Sequence, residues 1–234
     1  MRQLIEALGA AIPDDHCRQV SLNQMAEAHV RGGARGPVVL DVGVGDGRAV
    51  DLFAAFDAGV VYYGVDIESS PEVQSRTRSD ATFVTYDGVN VPFPEAMFDL
   101  VYSQQVFEHV RFPDALVAEI GRVLKPSGYF IGSVSFLEPY HSFSIFHWSP
   151  YGVYRVLSDA GLKVEWIRPG IDGATLIART VSKRRQRFDR WFTKESPLNR
   201  LVAWRGKRRK RSAQQINADK LVTAGHIVFC ARKA

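Results

Sequence analysis

The stretch VVLDVGVGDGRAVDLFAAFDAGVVYYGVD, residues 38–66, decides the fold of this chain. An apolar run, 37–42, contains Asp41 near its end, and glycines follow at alternate positions before a helical pattern begins: Gly43, Gly45 and Gly47. A second apolar run, 60–65, ends at Asp66, 25 residues after Asp41. This order predicts a strand, a glycine turn, a helix and a second strand, the opening βαβ unit of a doubly wound sheet.

The residue types in this stretch favour a nucleoside ligand that carries a positive charge. Glycine lets a ligand lie against the backbone, and a carboxylate such as Asp66 can accept hydrogen bonds from a ribose diol. A glycine turn alone is a weak signal, because any tight βα corner favours glycine, but the spacing to Asp66 strengthens it. The G-x-G-x-G order is not a dinucleotide fingerprint, and no Gly-Lys-Ser/Thr follows. Asp41 would repel phosphates and favours a ligand with an amino group.

Five segments in order resemble class I S-adenosylmethionine-dependent methyltransferases: DVGVGDG, GVD, TYDGVNVPF, FDLVYSQQVFEHV and EIGRVLKPSGYFIGSV. The resemblance covers residues 38–135, with Ser127 where a second glycine is often found and Val44 inside the glycine turn. It implies an α/β, Rossmann-like, doubly wound sheet of seven strands, mainly parallel with one antiparallel strand and with helices on both faces. It also implies S-adenosyl-L-methionine as the cofactor.

The same resemblance implies which residues hold the cofactor. Asp41 and the glycine turn are expected near its amino-acid portion, and Asp66, with Ile67 beside it, near the ribose. Asp87 and Gly88 follow the third predicted strand, 82–86, and are expected near adenine. An aspartate directly after a strand is equally typical of a turn.

Polar side chains also follow the fourth predicted strand, 98–103. Ser103 and Gln104 lie at its carboxyl end, where doubly wound sheets bind ligands, so both are predicted to line the pocket. Glu108 and His109 are adjacent in a helical pattern and do not face each other, which favours a structural role over acid–base chemistry.

The loop after the fifth predicted strand, FLEPYHSFSIFHW at 136–148, carries most of the reactive side chains. Glu138, His141 and His147 are the candidate catalytic residues, acting as a general base on an acceptor hydroxyl. Their irregular spacing argues against metal ligation, and we expect no metal site. An aromatic lid packed on the predicted helix at 150–159 is the alternative interpretation.

The chain is predicted to be a single domain with four parts. These are an N-terminal helical segment, 1–36, a cofactor-binding core, 37–168, a basic helical insertion, 169–224, and the last strand, 225–234. Cys17 and Cys230 are too few for a disulfide framework. The sequence shows no long apolar run that resembles a signal peptide or membrane span, so we expect a cytoplasmic location, with association to a membrane surface through the basic insertion.

The insertion concentrates positive charge. Residues 182–211 hold 13 Lys or Arg against two acids, a charge of +11, whereas the whole chain carries +5. Apolar residues recur on helical faces within it: Phe188, Trp191, Phe192, Leu198, Leu201 and Val202. A basic amphipathic pair with tryptophan is typical of an interfacial helix on an anionic membrane surface. Packing of the apolar face on the domain is one alternative, and nucleic-acid binding, without a recognisable module, is another.

The predicted function is transfer of a methyl group from S-adenosylmethionine to an O or N nucleophile of a small-molecule, glycan or lipid-linked acceptor. The EPYH segment and the HWSPYG that follows it resemble methyltransferases of bacterial cell-surface glycan and lipid-linked pathways. Two other hypotheses stay open here: an RNA methyltransferase, and a cofactor-binding protein without catalysis that acts on a partner through its basic insertion.

Overall fold

Seven strands form one sheet in the computed structural model of the chain, which describes residues 2–140, 143–182 and 185–234. The strands are β1 (Val38–Val42), β2 (Val61–Asp66), β3 (Thr82–Thr85), β4 (Phe98–Gln104), β5 (Leu124–Ser135), β6 (Leu162–Pro169) and β7 (His226–Lys233). Their order is β3-β2-β1-β4-β5-β7-β6, and β7 runs antiparallel to both neighbours. The predicted fold class is therefore confirmed.

Helices cover both faces of this sheet. They are α1 (Arg2–Leu8), α2 (Leu22–Gly32), α3 (Ala49–Phe56), α4 (Pro71–Ser75), α5 (Pro113–Val123), α6 (Pro150–Asp159), α7 (Gly173–Ser182), α8 (Arg185–Asp189), α9 (Pro197–Arg208) and α10 (Ala213–Leu221). Buried side chains of α1, α5, α6 and α10 form a core on one face, and those of α2 and α3 form a core on the other. Within the described ranges, the helices are too short or too polar to cross a bilayer.

The central strands have near-continuous apolar sequences because both of their faces are covered. Val39, Leu40, Val101 and Phe130 are fully buried. β5 begins at Leu124, earlier than the predicted Tyr129. The reason is that Leu124 pairs with Phe98 and Tyr129 pairs with Leu100, so the Lys-Pro-Ser-Gly turn at 125–128 bulges out of a strand that has already started.

The segment between α1 and α2 is hydrogen-bonded to the basic insertion. The side-chain oxygen of Gln19 accepts hydrogen bonds from Ser196 N at 3.0 Å and Asn199 Nδ2 at 2.7 Å. Lys220 is fully buried, and its ammonium group bonds to Glu195 and to the carbonyl of Cys17. The N-terminal segment therefore holds the basic helices as well as packing on the sheet.

Replacing Lys220 by methionine is expected to lower the free energy of unfolding by about 2 kcal/mol. The substitution leaves the Glu195 carboxylate, one quarter exposed, without its cation. Urea denaturation at neutral pH measures the change, with the exposed Lys194→Met as the control, expected within about 0.5 kcal/mol of the parent. Equal stability of the two variants would show that this ion pair does not anchor the insertion.

Candidate functional site

The glycine turn after β1 is hydrogen-bonded to the last two residues of β2. Gly43 N and Val44 N donate to the carbonyl of Val65 at 2.8 and 3.1 Å, and Gly45 N donates to Asp66 Oδ2 at 2.7 Å. Gly43 has φ of +77°, and a Cβ there would lie 2.3 Å from a methyl group of Val106. The turn therefore requires glycine for both backbone conformation and space.

Asp66 and Ile67 lie side by side at the end of β2, where the ribose and the base of the nucleoside are predicted. The second oxygen of Asp66 accepts from Ile67 N at 2.8 Å, so each carboxylate oxygen keeps a lone pair for another donor. Burial raises the pKa of Asp66, and the hydrogen bonds from Gly45 N and Ile67 N oppose this increase. Ile67 is 43% exposed, and a Cβ added to Gly88 would lie 3.9 Å from its side chain. The predicted nucleoside site is thus built from adjoining residues.

Asp87 lies at the same edge of the sheet in a tight turn. Its carboxylate accepts from Val89 N at 2.9 Å, from Asn90 N at 2.7 Å and from the Asn90 side chain. The Asn90 side chain is the main cause that lowers the pKa of Asp87. These bonds explain an aspartate here as a turn residue, and its contact with adenine stays a prediction.

Asp41 is buried beneath the glycine turn, on the face that α2 and α3 cover. The hydroxyl of Tyr62 donates to its carboxylate at 2.5 Å. Burial raises the pKa of Asp41 to about 7, and the nearby charge of Asp66 adds to the increase. A carboxylate in this position gains from a neighbouring cation, which fits the amino group of the implied cofactor.

Ser103 and Gln104, both predicted to line the pocket, have different surroundings at the end of β4. Ser103 is buried, and its hydroxyl donates to the carbonyl of Val42 at 3.2 Å, which links β4 to β1; its place in the pocket stays a prediction. Gln104 is exposed, and its side-chain oxygen lies 3.0 Å from the hydroxyl of Tyr102. That hydroxyl also lies 2.7 Å from Asn23 Oδ1, which brings the first turn of α2 to the site. The sequence analysis missed Asn23, which no motif marks.

Glu138 is paired with a histidine that the sequence analysis did not consider. Its carboxylate lies 2.9 Å from His226 Nε2, and both side chains are largely buried. His226 begins β7 and sits opposite Ser135, the last residue of β5. Because β7 is antiparallel, its first residue reaches the edge where the parallel strands end. The predicted antiparallel strand was the signal that could have identified His226.

Of the two histidines in the predicted catalytic loop, the structure describes His147 only. His147 is exposed, and its Nδ1 lies 2.9 Å from the carbonyl of Phe136. This contact assigns the proton of a neutral imidazole to Nδ1 and leaves Nε2 as an acceptor. His141 lies outside the described residues. The catalytic roles of both histidines stay predictions.

Glu108 holds the catalytic loop in place, as the structural interpretation predicts. Its side chain accepts a hydrogen bond from Ser135 N, where the loop leaves β5. Its carbonyl accepts from Ile145 N at 2.6 Å, where the loop returns. Burial raises the pKa of Glu108, and the charge of His226 is among the causes that oppose the increase.

Buried polar atoms without a protein partner collect near this loop, among the residues that the structure describes: Gln105 Oε1, Glu108 Oε2, Ser135 Oγ, Ser144 Oγ and Trp148 Nε1. Buried polar groups are ordinarily hydrogen-bonded, so a cluster of this kind is typical of a ligand site. A wide groove at the opposite edge of the sheet, lined by residues 32–38 and 125–129, has no such cluster among the described residues. We therefore place the site at the carboxyl edge, between the glycine turn and the catalytic loop.

Residues 40–132 match the family described as a methyltransferase domain. An uncharacterized methyltransferase of Mycobacterium avium is 40% identical over 101 residues, which are 41% of this chain and 38% of that protein. A fatty-acid O-methyltransferase of Mycolicibacterium smegmatis is 28% identical over 64% of this chain and 53% of its own length. The chain thus spans about half or less of the length of these relatives.

Solved structures share the fold along most of the chain. Phosphoethanolamine N-methyltransferase 2 of Haemonchus contortus, in complex with S-adenosyl-L-methionine, has a TM-score of 0.58 at 19% identity and covers 90% of this chain and 52% of its own. The [4+2]-cyclase SpnF has a TM-score of 0.59 at 19% identity, covering 100% and 93%. These identities show the fold alone, and a cyclase among the similar folds illustrates that a fold does not determine a reaction. The predicted cofactor, S-adenosylmethionine, is confirmed by the family match and by a relative of Mycolicibacterium smegmatis, 29% identical over 139 residues, that is named as a probable S-adenosylmethionine-dependent methyltransferase.

Proposed function

We propose that the protein methylates an O or N nucleophile of a small-molecule, glycan or lipid-linked acceptor, since residues 40–132 match a methyltransferase domain and the chain has the class I methyltransferase fold. The observation that carries this proposal is the Glu138–His226 pair at 2.9 Å, at the carboxyl edge of the sheet that also bears the glycine turn. A paired carboxylate and imidazole at a cofactor edge suit removal of a proton from an acceptor.

The residues of this chain divide into two groups in the proposed reaction. Asp66 and the backbone of the glycine turn hold the nucleoside, and Asp41 faces the positive end of the cofactor. When bound, S-adenosylmethionine supplies an activated methyl group on its sulfonium. Glu138 accepts the proton that the acceptor hydroxyl or amine loses, and His226 orients the Glu138 carboxylate. Holding both reactants in one geometry accounts for most of the acceleration.

The surface around this pair favours an acceptor with an apolar part. Large apolar side chains of the loop are exposed there: Leu137, Tyr140, Phe143, Ile145 and Phe146. Exposed apolar patches of this kind mark binding surfaces. Their position beside Glu138 favours an amphiphilic or lipid-linked acceptor within the proposed range. One relative is named as a fatty-acid O-methyltransferase, which is consistent with this choice.

Calorimetric titration with S-adenosylmethionine tests the cofactor half of the proposal. We expect the parent chain to bind and Asp66→Ala to bind at least about a hundredfold more weakly, because hydrogen bonds to a charged acceptor are lost. The matched control is Asp99→Ala. Asp99 also accepts a hydrogen bond from a backbone N–H, that of Val38 at 2.9 Å, but it lies at the opposite edge of the sheet. Equal binding by Asp66→Ala would show that the nucleoside lies elsewhere.

Transfer of a radiolabelled methyl group tests the acceptor half. Protein and labelled cofactor are incubated with separate lipid, glycan, small-molecule and RNA fractions. We expect label in an amphiphilic fraction. Label confined to RNA would contradict the proposed acceptor class while leaving the cofactor result intact.

A further inference from the structure

The helix α9 of the basic insertion is held on the domain by one face only. Asn199 is buried and donates to the carbonyl of Gly170 at 2.9 Å. Gly206, two turns later on the same side, packs so closely on Ile216 of α10 that a Cβ would lie 2.5 Å away. These contacts determine which residues of α9 point inward, and therefore which point away from the protein.

The outward face of α9 combines exposed apolar side chains with cations. Leu201 and Trp204 are 48% and 54% exposed. The guanidinium of Arg208 stacks on the Trp204 ring at 4.9 Å from its centre. In the described ranges, six basic side chains of this region have no ion-pair partner: Arg200, Arg205, Lys207, Arg208, Arg209 and Lys210.

The exposed face of α7 is apolar along its length. Ala174, Ile177, Ala178 and Val181 recur at helical spacing and are exposed, with Val181 at 76%. The carboxylate of Asp172 accepts from Thr175 N at 2.7 Å and from Leu198 N at 3.3 Å, so α7 and α9 begin at the same buried point. The two helices therefore start side by side, α7 with an aliphatic exposed face and α9 with a cationic one.

Trp191 and Phe192, which the sequence analysis placed on the membrane face, lie elsewhere. Both are half-buried, and the ring of Phe192 packs on His226 at 5.6 Å between centres. The carbonyl of Trp191 accepts a hydrogen bond from the Gln19 side chain at 2.7 Å. Both residues belong to the contact between the insertion and the domain, because the chain folds back on itself at a 3₁₀ turn there.

We propose that the exposed faces of α7 and α9 dock on the surface of an anionic lipid bilayer. Aliphatic side chains and tryptophan enter the boundary between headgroups and acyl chains, while arginine and lysine bind the anionic headgroups. Charge complementarity selects this partner, since residues 196–211 contain seven Lys or Arg and no acid. Exposed Ile177, Val181 and Leu201 favour lipid over nucleic acid, whose single strands bind through aromatic stacking and cations.

The docking surface adjoins the catalytic loop. Gly173, the first residue of α7, lies against Leu137, and a Cβ on Gly173 would be 2.6 Å from the Leu137 carbonyl. We infer that the membrane face of α7 therefore begins next to the loop that carries Glu138 and its exposed apolar side chains. The link between the docking surface and the acceptor site rests on the proposed function, whereas the proposed docking on a bilayer does not.

Co-sedimentation with vesicles tests the docking. The full chain, without cofactor, is mixed at about 0.1 M salt with vesicles of equal parts phosphatidylglycerol and phosphatidylcholine, or of phosphatidylcholine alone. We expect binding to the anionic vesicles only. Arg205→Gln with Lys207→Gln and Arg208→Gln should weaken it on the order of a hundredfold, and Leu201→Gln with Trp204→Gln by at least about tenfold.

Matched variants separate this surface from a general charge effect. Arg2→Gln with Arg31→Gln and Arg155→Gln also removes three exposed arginines, and Val61→Gln removes an exposed aliphatic side chain at the far edge of the sheet. Both control proteins should bind like the parent. The proposal is overturned if the parent fails to bind anionic vesicles, if the controls weaken binding equally, or if a labelled RNA oligonucleotide binds while the vesicles do not.

Discussion

Glu138→Gln is expected to slow methyl transfer by about 10²- to 10⁴-fold, the usual contribution of a positioned general base. The change keeps the size of the side chain and its contact with His226, at 2.9 Å in the parent, but removes the charge that accepts a proton. Affinity for S-adenosylmethionine should stay unchanged, because Asp66 and the glycine turn form a separate part of the site. Initial rates at saturating cofactor, with the acceptor found by label transfer, measure the effect.

His226 is expected to act through Glu138 as a positioning residue. His226→Gln should therefore lower the rate less than Glu138→Gln does. Both substitutions should lower kcat while leaving the affinity for S-adenosylmethionine unchanged. The control is Glu165→Gln, a partly buried glutamate of β6 that pairs with Lys163 at 3.1 Å. If Glu138→Gln kept the rate of the parent, Glu138 would not be the general base. The acceptor would then be a group that is already ionised, such as a carboxylate.

Asp41→Asn is expected to make the protein more stable above neutral pH. The pKa of this carboxyl rises from 3.8 to about 7 because burial penalises its charge. Between these values the folded chain holds a proton that the unfolded chain has released, so stability falls as pH rises through this window and is lowest above it. The asparagine side chain stays neutral and can still accept the Tyr62 hydrogen bond. The gain at pH 8 approaches about 4 kcal/mol as an upper limit.

The same substitution should weaken binding of the cofactor by about tenfold, because the charge that faces its amino group is lost. Urea denaturation at acidic and alkaline pH measures the stability, and calorimetry measures the binding. Asp99→Asn, at the opposite edge of the sheet, is the control for both measurements, since its carboxylate pairs with Lys125 at 2.8 Å. If Asp41→Asn showed the same pH dependence as the parent, the carboxyl would already be ionised in the folded protein.

The sequence by itself determined the fold and the cofactor edge of this protein. Residues 38–66 predicted a strand, turn, helix and strand because apolar periodicity and glycine act locally, through neighbouring backbone conformations. The positions of Gly43 and Asp66 at the carboxyl ends of adjacent parallel strands then follow from the topology alone. The same is true of the charge of residues 182–211, which is a property of composition.

Only the tertiary structure decided which side chains meet. Glu138 pairs with His226, 88 residues later, because β7 returns antiparallel beside β5, and Ser103 turned inward to bond Val42. Tertiary packing also left Trp191 and Phe192 half-buried, and Leu201 and Trp204 exposed. The helical spacing of an amphipathic segment marks which residues share a face, but the choice of the face that is covered depends on surfaces contributed by distant parts of the chain.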